Sequence, residues 1–317
     1  MIRLRSALRP TLPVARRGAS PLWVWAILAL APAPGEAAQN LYEWLAVAPV
    51  VAAGTVEHDD GKFLAVRLDR VFRGEPEAGS LVRVDVRRAN REREESKTAL
   101  RLEEGTRQLW LLRREEDRRS EGPPLFEIVR GVEGTRDLPA EGEAPWIEAV
   151  ERLVAVQALR DEFAAWKAFR GMLEETNPLL IETALDLFAK FRRSRPDLLP
   201  LLLPLFDHPR PALRERSARL LGQIAEDDRS GDALEASGAL PVLYGAARRD
   251  PSAAVRAAAT AAVGHVRARG SDEVLAEIAR EDPEQAVRYE AERILFDRRR
   301  EGAPQQVPIP SDAGVPE

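Results

Sequence analysis

The chain has 317 residues, enough for about two domains of ordinary size, and its 44% hydrophobic and 31% charged content is that of a globular protein. Its formal net charge is −5, and arginines alternate with carboxylates almost everywhere, so no global basic character points to a nucleic-acid partner. The absence of cysteine excludes disulfides, thiol nucleophiles and zinc–thiolate sites.

Residues 1–38 read as a signal peptide. Arg3, Arg5, Arg9, Arg16 and Arg17 precede the apolar run PLWVWAILALA (21–31), and the small residues Gly35 and Ala37 lie three and one before a cleavage point. The run is shorter than the ~20 residues of a spanning helix. Export through a bacterial inner membrane is therefore expected, to a periplasmic or extracellular location. Membrane contact is expected only through this segment, if it is uncleaved.

Residues 39–140 read as a small antiparallel β-barrel. VVAAGTV (50–56), KFLAVRLDRVF (62–72), SLVRVDVRR (80–88), RQLWLLRR (107–114) and LFEIVRG (125–131) are short apolar or alternating runs. EHDDG (57–61) carries a hairpin signal, and RGEPEAG (73–79) and EEG (103–105) are turns. In the second strand Leu64, Val66 and Leu68 share a face, and the alternation fails at Phe72, where a bulge is expected. Five strands in a hundred residues fit an OB-type barrel. REREESKT (91–98) reads as a charged, solvated loop.

From 146 to 300 the apolar spacing becomes helical. Four segments start alike: NPLLIETALDLFAKF (177–191), HPRPALRERSARLLGQI (208–224), DPSAAVRAAATAAVGHV (250–266) and DPEQAVRYEAERILFDR (282–298). Asn177, Asp250 and Asp282 read as N-caps with proline at the first helical position, and Asp207 stands ahead of His208-Pro209. Arg214, Arg256 and Arg288 each stand six residues after the start of their segment, whereas Glu182 is read as holding the matching place in the first. An apolar helix precedes each of these segments: 147–170, 196–206, 238–249 and 272–281. Four helix pairs therefore form an array that buries a continuous core. Residues 301–317, rich in proline and polar residues, read as a disordered tail. The fold class is α+β multidomain: a small antiparallel, OB-like β-barrel followed by an α-solenoid of about four helix pairs.

DPSAAVRAAATAAVGHV and DPEQAVRYEAERIL resemble the short HEAT repeats of bacteria, the type found in PBS-lyase-like proteins. That resemblance covers about 150 residues. It implies an α-solenoid with a concave binding face and a ladder of Asp207, Asp250 and Asp282 with Arg214, Arg256 and Arg288, but no particular chemistry. Residues 39–140 resemble the OB-like barrel of netrin and tissue-inhibitor-of-metalloprotease modules. Without cysteine, the inhibitory mechanism of those modules does not carry over.

Chemistry is sparse. The histidines His58, His208 and His265 read as a turn residue, a cap replacement and a helix-end residue. There is no HExxH, GxSxG or SxxK motif. GEPEAGS (74–80) has phosphate-loop spacing but lacks the lysine and joins two strands. Asp59-Asp60, Glu103-Glu104 and Asp227-Asp228 fall in turns, where carboxylates are solvated and poorly placed for acid–base work. Residues 39–140 hold 18 basic and 20 acidic residues, against nucleic-acid binding by the barrel. No catalytic, cofactor-binding or metal residue is assigned, and no cofactor is expected. The expected function is a non-enzymatic protein-binding or scaffold role at the cell envelope, with a protein partner. An enzyme-associated or lyase-like HEAT protein stays open, as does a ligand-binding barrel supported by the repeats. Loss of Arg256 is expected to lower thermal stability by stripping hydrogen bonds from Asp250 or Asp207.

Overall fold

A computed structural model describes residues 40–87, 89, 102–115, 122–139, 141–227, 231–268 and 270–302. The expectations for the leader (1–38), the loop 91–98 and the tail beyond 302 fall outside these residues. Residues 301 and 302 belong to the last helix rather than to the tail. The chain divides into two compact units. Of the described residues the first comprises Glu43–Asp137 and Glu151–Ala165, and the second Asn40–Tyr42, Leu138–Val150 and everything from Trp166 on.

The first unit is a closed five-stranded barrel. A short helix, α1 (Leu41–Ala46), leads into strands β1 (Val50–Asp59), β2 (Phe63–Arg73), β3 (Leu81–Asp85), β4 (Arg107–Arg114) and β5 (Leu125–Ile128). Pairing runs β1–β2–β3–β5–β4 and returns from β4 to β1, while the three-residue β6 (Thr135–Asp137) adds to the free part of β4. All barrel pairings are antiparallel except β3 with β5, which is parallel. Leu64, Val66 and Leu68 of β2 point inward with Val82, Val84, Trp110 and Phe126, as the alternation requires. The bulge expected at Phe72 is present: Val51 pairs with Arg73 and Ala52 with Val71, leaving Phe72 unopposed. Asp69 and Glu57 make two further bulges, which sharpen the coiling needed to close so small a barrel.

The β1–β2 turn forms as the Asp-Gly signal predicts. Asp59 accepts from the Gly61 N–H at 2.7 Å, and Asp60 from those of Lys62 and Phe63 at 2.8 and 2.6 Å. His58 lies in β1 rather than in the turn, exposed and 2.8 Å from Glu104. Gly54 is required by proximity: a Cβ there would lie 2.6 Å from the Arg67 carbonyl oxygen. The Trp110 indole N–H also donates to the Gly54 carbonyl at 3.3 Å inside the barrel.

The second expected region departs from the sequence reading in two places. Residues 147–170 do not form one helix but two, α2 (Glu143–Gln157) and α3 (Glu162–Met172). Asp161 breaks them apart: its carboxylate accepts the N–H groups of Phe163 and Ala164 at 3.2 and 3.1 Å and so starts α3. Residues 196–206 are not a regular helix either. Pro196, Pro200 and Pro204 each lack a donor, and the stretch resolves into 3-10 turns (Pro196–Leu198 and Leu203–Asp207) around a single α turn, α5 (Leu199–Leu202).

The remaining helices are α4 (Pro178–Lys190), α6 (Pro211–Asp227), α7 (Asp232–Ala236), α8 (Ala239–Arg249), α9 (Ala253–His265), α10 (Ser271–Glu281) and α11 (Gln285–Gly302). Helices α4, α6, α9 and α11 pack side by side in a row, and α8 and α10 lie against α9 and α11 respectively. Arg214 and Arg256 are 42 residues apart and Arg256 and Arg288 only 32. A longer α6 and the extra helix α7 fill the difference. No helix of the described residues is long and apolar enough to cross a membrane.

Substituting Gly54 by alanine forces β1 away from β2, because the obstacle is backbone. Denaturant unfolding of the G54A protein should show a loss of about 1–3 kcal/mol, and a change within error would mean that the strands separate freely.

Candidate functional site

Two signature arginines, Arg214 and Arg256, make enclosed polar contacts in the helix row and link neighbouring pairs in one direction. The Arg214 guanidinium grips Asp250 through Nε and Nη2 at 2.7 and 2.9 Å, and Arg256 grips Asp282 in the same two-pronged way at 2.8 and 3.1 Å. The remaining Nη1 of each arginine donates to its own corner: Arg214 to the carbonyls of His208 and Pro209, Arg256 to that of Asp250. Each arginine therefore ties the turn that begins its own helix to the turn that begins the next. The side chains of Arg256 and Asp282 are 9% and 2% exposed, so the pair is desolvated and must be complete.

Several readings of these residues need correction. Asp250 and Asp282 are not N-caps, because α9 starts at Ala253 and α11 at Gln285; their carboxylates accept N–H groups still ahead of the helix, from Ser252 and Glu284 at 2.9 and 2.8 Å. The following proline holds the Asp extended, so α9 and α11 start three residues after Asp250 and Asp282. Only Asn177 is a true cap, accepting the Leu179 N–H at 3.1 Å with Pro178 at the first helical position.

Asp207 takes no part in the ladder: it ends a 3-10 turn, exposed. His208 holds the register instead, its Nδ1 accepting the Arg210 N–H at 3.0 Å as Asp250 does for Ser252. In the first helix pair the sixth residue after Asn177 is the buried Thr183, not Glu182. The partner of Arg256 is Asp282, not Asp250 or Asp207. Arg288 completes only its own half, donating to the Asp282 and Pro283 carbonyls at 2.6 and 3.1 Å.

Two clusters escaped the sequence reading. Arg216 of α6 ion-pairs both Glu182 and Asp186 of α4, at 2.6 and 2.7 Å. Burial pushes the Asp186 carboxyl above its usual pKa despite Arg216. The i, i+4 carboxylates of α4 were the available signal. Arg298 of α11 donates to the carbonyls of Val263, Gly264 and Val266 at 2.8, 2.9 and 2.6 Å, closing the C-terminal end of α9. Nothing local announces that arginine, since its acceptors lie more than thirty residues away.

A cleft of about 770 Å³ opens on the row beside α9. Its floor includes Ala261 and Gly264, and its walls carry Glu226 of α6 and Glu290, Arg293 and Asp297 of α11. These charges are largely matched: Arg293 pairs with Glu290 at 2.6 Å and Asp297 at 3.1 Å, and Glu226 with Arg192 at 2.7 Å. His265 stands exposed at the rim. No group of His, Asp and Glu among the described residues is placed to hold a metal ion. The arrangement offers a shaped, charge-balanced surface with a low floor.

No family model matches the chain, and no curated protein matches it. The chain is similar to solved structures over about half its length. One is an engineered protein from the Northeast Structural Genomics Consortium, at 19% identity, 48% of this chain, 75% of that chain and a TM-score of 0.36. Another is the complex of CpcE and CpcF of phycocyanin lyase from Nostoc sp. PCC7120, at 19% identity, 47% and 89% coverage and a TM-score of 0.36. A second engineered protein from the same consortium shows 16% identity, 51% and 77% coverage and a TM-score of 0.36.

Arg256→Ala strands Asp282 and should cost about 3–5 kcal/mol, measured by denaturant unfolding, with the D282A background absorbing most of that loss. Additive losses in the double variant would mean that the two side chains act separately.

Two groups of the helix row contribute to acid destabilisation. Burial opposes ionisation of Asp250, but the Arg214 hydrogen bonds and the Ser252 N–H outweigh it and hold its pKa below the usual carboxylate value. Burial, then Arg210 and Arg214, hold His208 below the ordinary histidine value. Both groups bind protons less readily folded than unfolded. Their stabilisation is complete above about pH 4 for Asp250 and about pH 6.5 for His208, and is lost as pH falls through each folded pKa. His208→Asp should therefore shift the onset of acid destabilisation from about pH 6.5 toward about pH 4 in thermal melts. An unchanged onset would remove His208 as its source.

Proposed function

We propose that this chain is an exported, non-enzymatic protein-binding scaffold of the cell envelope, in which a short α-solenoid of HEAT type accompanies a small OB-type barrel. The observation that carries this reading is the alanine-floored cleft on a row of helices locked by desolvated Arg–Asp pairs. A surface held that rigidly loses little conformational entropy when a partner binds. Its charges are already paired, so a partner fits by shape and by exchange of rim contacts rather than by reaction at a primed nucleophile. The signal-peptide layout of residues 1–38 supports export.

The test places a photo-crosslinking residue in the full-length chain, expressed in its native cell, either at Ala261 on the cleft floor or at the exposed Glu77 of the barrel. A protein adduct of defined mass from position 261, in the periplasmic fraction, is the expected result. Adducts from position 77 alone would sink the role assigned to the helices. A metal or chromophore retained through purification would favour the enzyme-associated reading instead.

A further inference from the structure

The last helix breaks the rule followed by the two before it. Counting from each signature arginine, the eighth residue is Gly222 in α6 and Gly264 in α9. Both glycines are sites of close approach: a Cβ on Gly222 would lie 3.1 Å from the Cα of Ala262, and one on Gly264 would lie 2.9 Å from Ile294. The next helix of the row thus rests on the glycine of the one before. In α11 the eighth residue after Arg288 is Phe296, and it is 59% exposed. The seventh residue is fully buried in the inner helices, Leu221 and Val263, whereas Leu295 is only half-buried.

The face of α11 that continues the row therefore shows an unfinished ladder. Arg288 has made the bonds to its own corner, and among the described residues its Nε and Nη2 meet no carboxylate. Arg299 and Arg300 also form no ion pair among the described residues, although Arg300 lies over the Phe296 ring at 5.8 Å. A shallow cleft of about 440 Å³ beside α10 is lined by Ala276, Leu295 and Arg299, and also by Glu273 and by Asp272, which is paired with Arg298. Tyr289, one residue after Arg288, is 66% exposed.

We propose that this face, built by Arg288, Leu295, Phe296 and Arg299, docks an acidic segment of another protein, with a carboxylate seated in the fork of Arg288 and an apolar side chain against Leu295 and Phe296. The chemistry of the occupant follows from the two inner examples, where an Asp opening a helix turn fills the same fork. Phe296 stands where the next close-packed helix would rest, so the occupant is not a further repeat at the inner spacing. A second copy of this face is disfavoured by charge, since Arg288, Arg299 and Arg300 outnumber Glu273 and Glu292, Asp272 being already paired with Arg298. This inference deepens the protein-binding reading above but uses a different surface.

The test titrates full-length protein, at about 0.15 M salt, into a fluorescein-labelled peptide whose Asp-Pro turn leads a leucine-bearing helix, alongside its Asp→Asn twin. The Asp peptide should bind, and the twin and the Arg288→Ala protein should each bind about tenfold more weakly. Because Arg288 also braces its own turn, Phe296→Ser supplies a variant at an exposed position: it should weaken binding while leaving the melting curve unchanged. Equal binding of the two peptides, or indifference to both variants, overturns the proposal. So does tighter binding to anionic vesicles or duplex DNA, or a self-association in sedimentation that R288A abolishes. If position 261 cross-links a protein while the peptide fails here, only this inference falls and the scaffold reading stands.

Discussion

A guanidinium taken out of water must find acceptors and a counter-charge, and this requirement organises the helical unit. Arg214 and Arg256 meet it by binding the carbonyls of their own corner and the carboxylate of the next. Neither half suffices alone. Without the corner carbonyls the guanidinium keeps unsatisfied N–H groups, and without the Asp it is a buried, unpaired charge. Consecutive helix pairs can therefore pack in only one order and one register. The apolar contacts of Leu221, Ala259 and Val263 add stability, but they would tolerate sliding that the charged fork does not.

The glycines and Arg298 complete that constraint from the other end of each helix. Gly222 and Gly264 allow backbones to approach closely, which brings Ala262 and Ile294 within contact distance. Arg298 then satisfies the last carbonyls of α9 from the neighbouring helix. Helices α6, α9 and α11 are thus each held near the start by an arginine they supply, and α9 also near its end by an arginine it receives. The cleft beside α9 is the surface consequence, with the small residues Ala261 and Gly264 between the charged ridges of α6 and α11.

Local signals in the sequence carried most of this architecture, and contacts distant in the sequence carried the rest. Alternation in FLAVRLDRVF located β2, its inward face and its bulge, because a period of two reports burial directly. The recurrent Asp-Pro and the arginine six residues later marked the helix pairs. Spacing within a segment could not reveal which carboxylate each arginine meets, because the partner lies in the following pair, 36 or 26 residues on. Asp207 was misjudged for a related reason. A histidine Nδ1 accepts an N–H as a carboxylate does, so His208 fills the register without resembling an aspartate. The helix expected over 196–206 failed because three prolines remove donors faster than leucines can favour a helix. The Asp161 break in 147–170 was legible as a cap, but it is masked by an apolar pattern that continues across it.

The one-way hand-off from arginine to the following aspartate has a consequence for how such a chain can change length. A segment running from one Asp-Pro corner to the next carries both halves of the interaction, donor and acceptor, in fixed register. Residues 250–281 form such a segment, bounded by Asp250 and Asp282. Duplicating or deleting it leaves every signature arginine ahead of Arg288 facing an aspartate and every glycine facing a small or aliphatic side chain. The array is thus modular in whole helix pairs, and its span can be altered by copying sequence without redesigning a core.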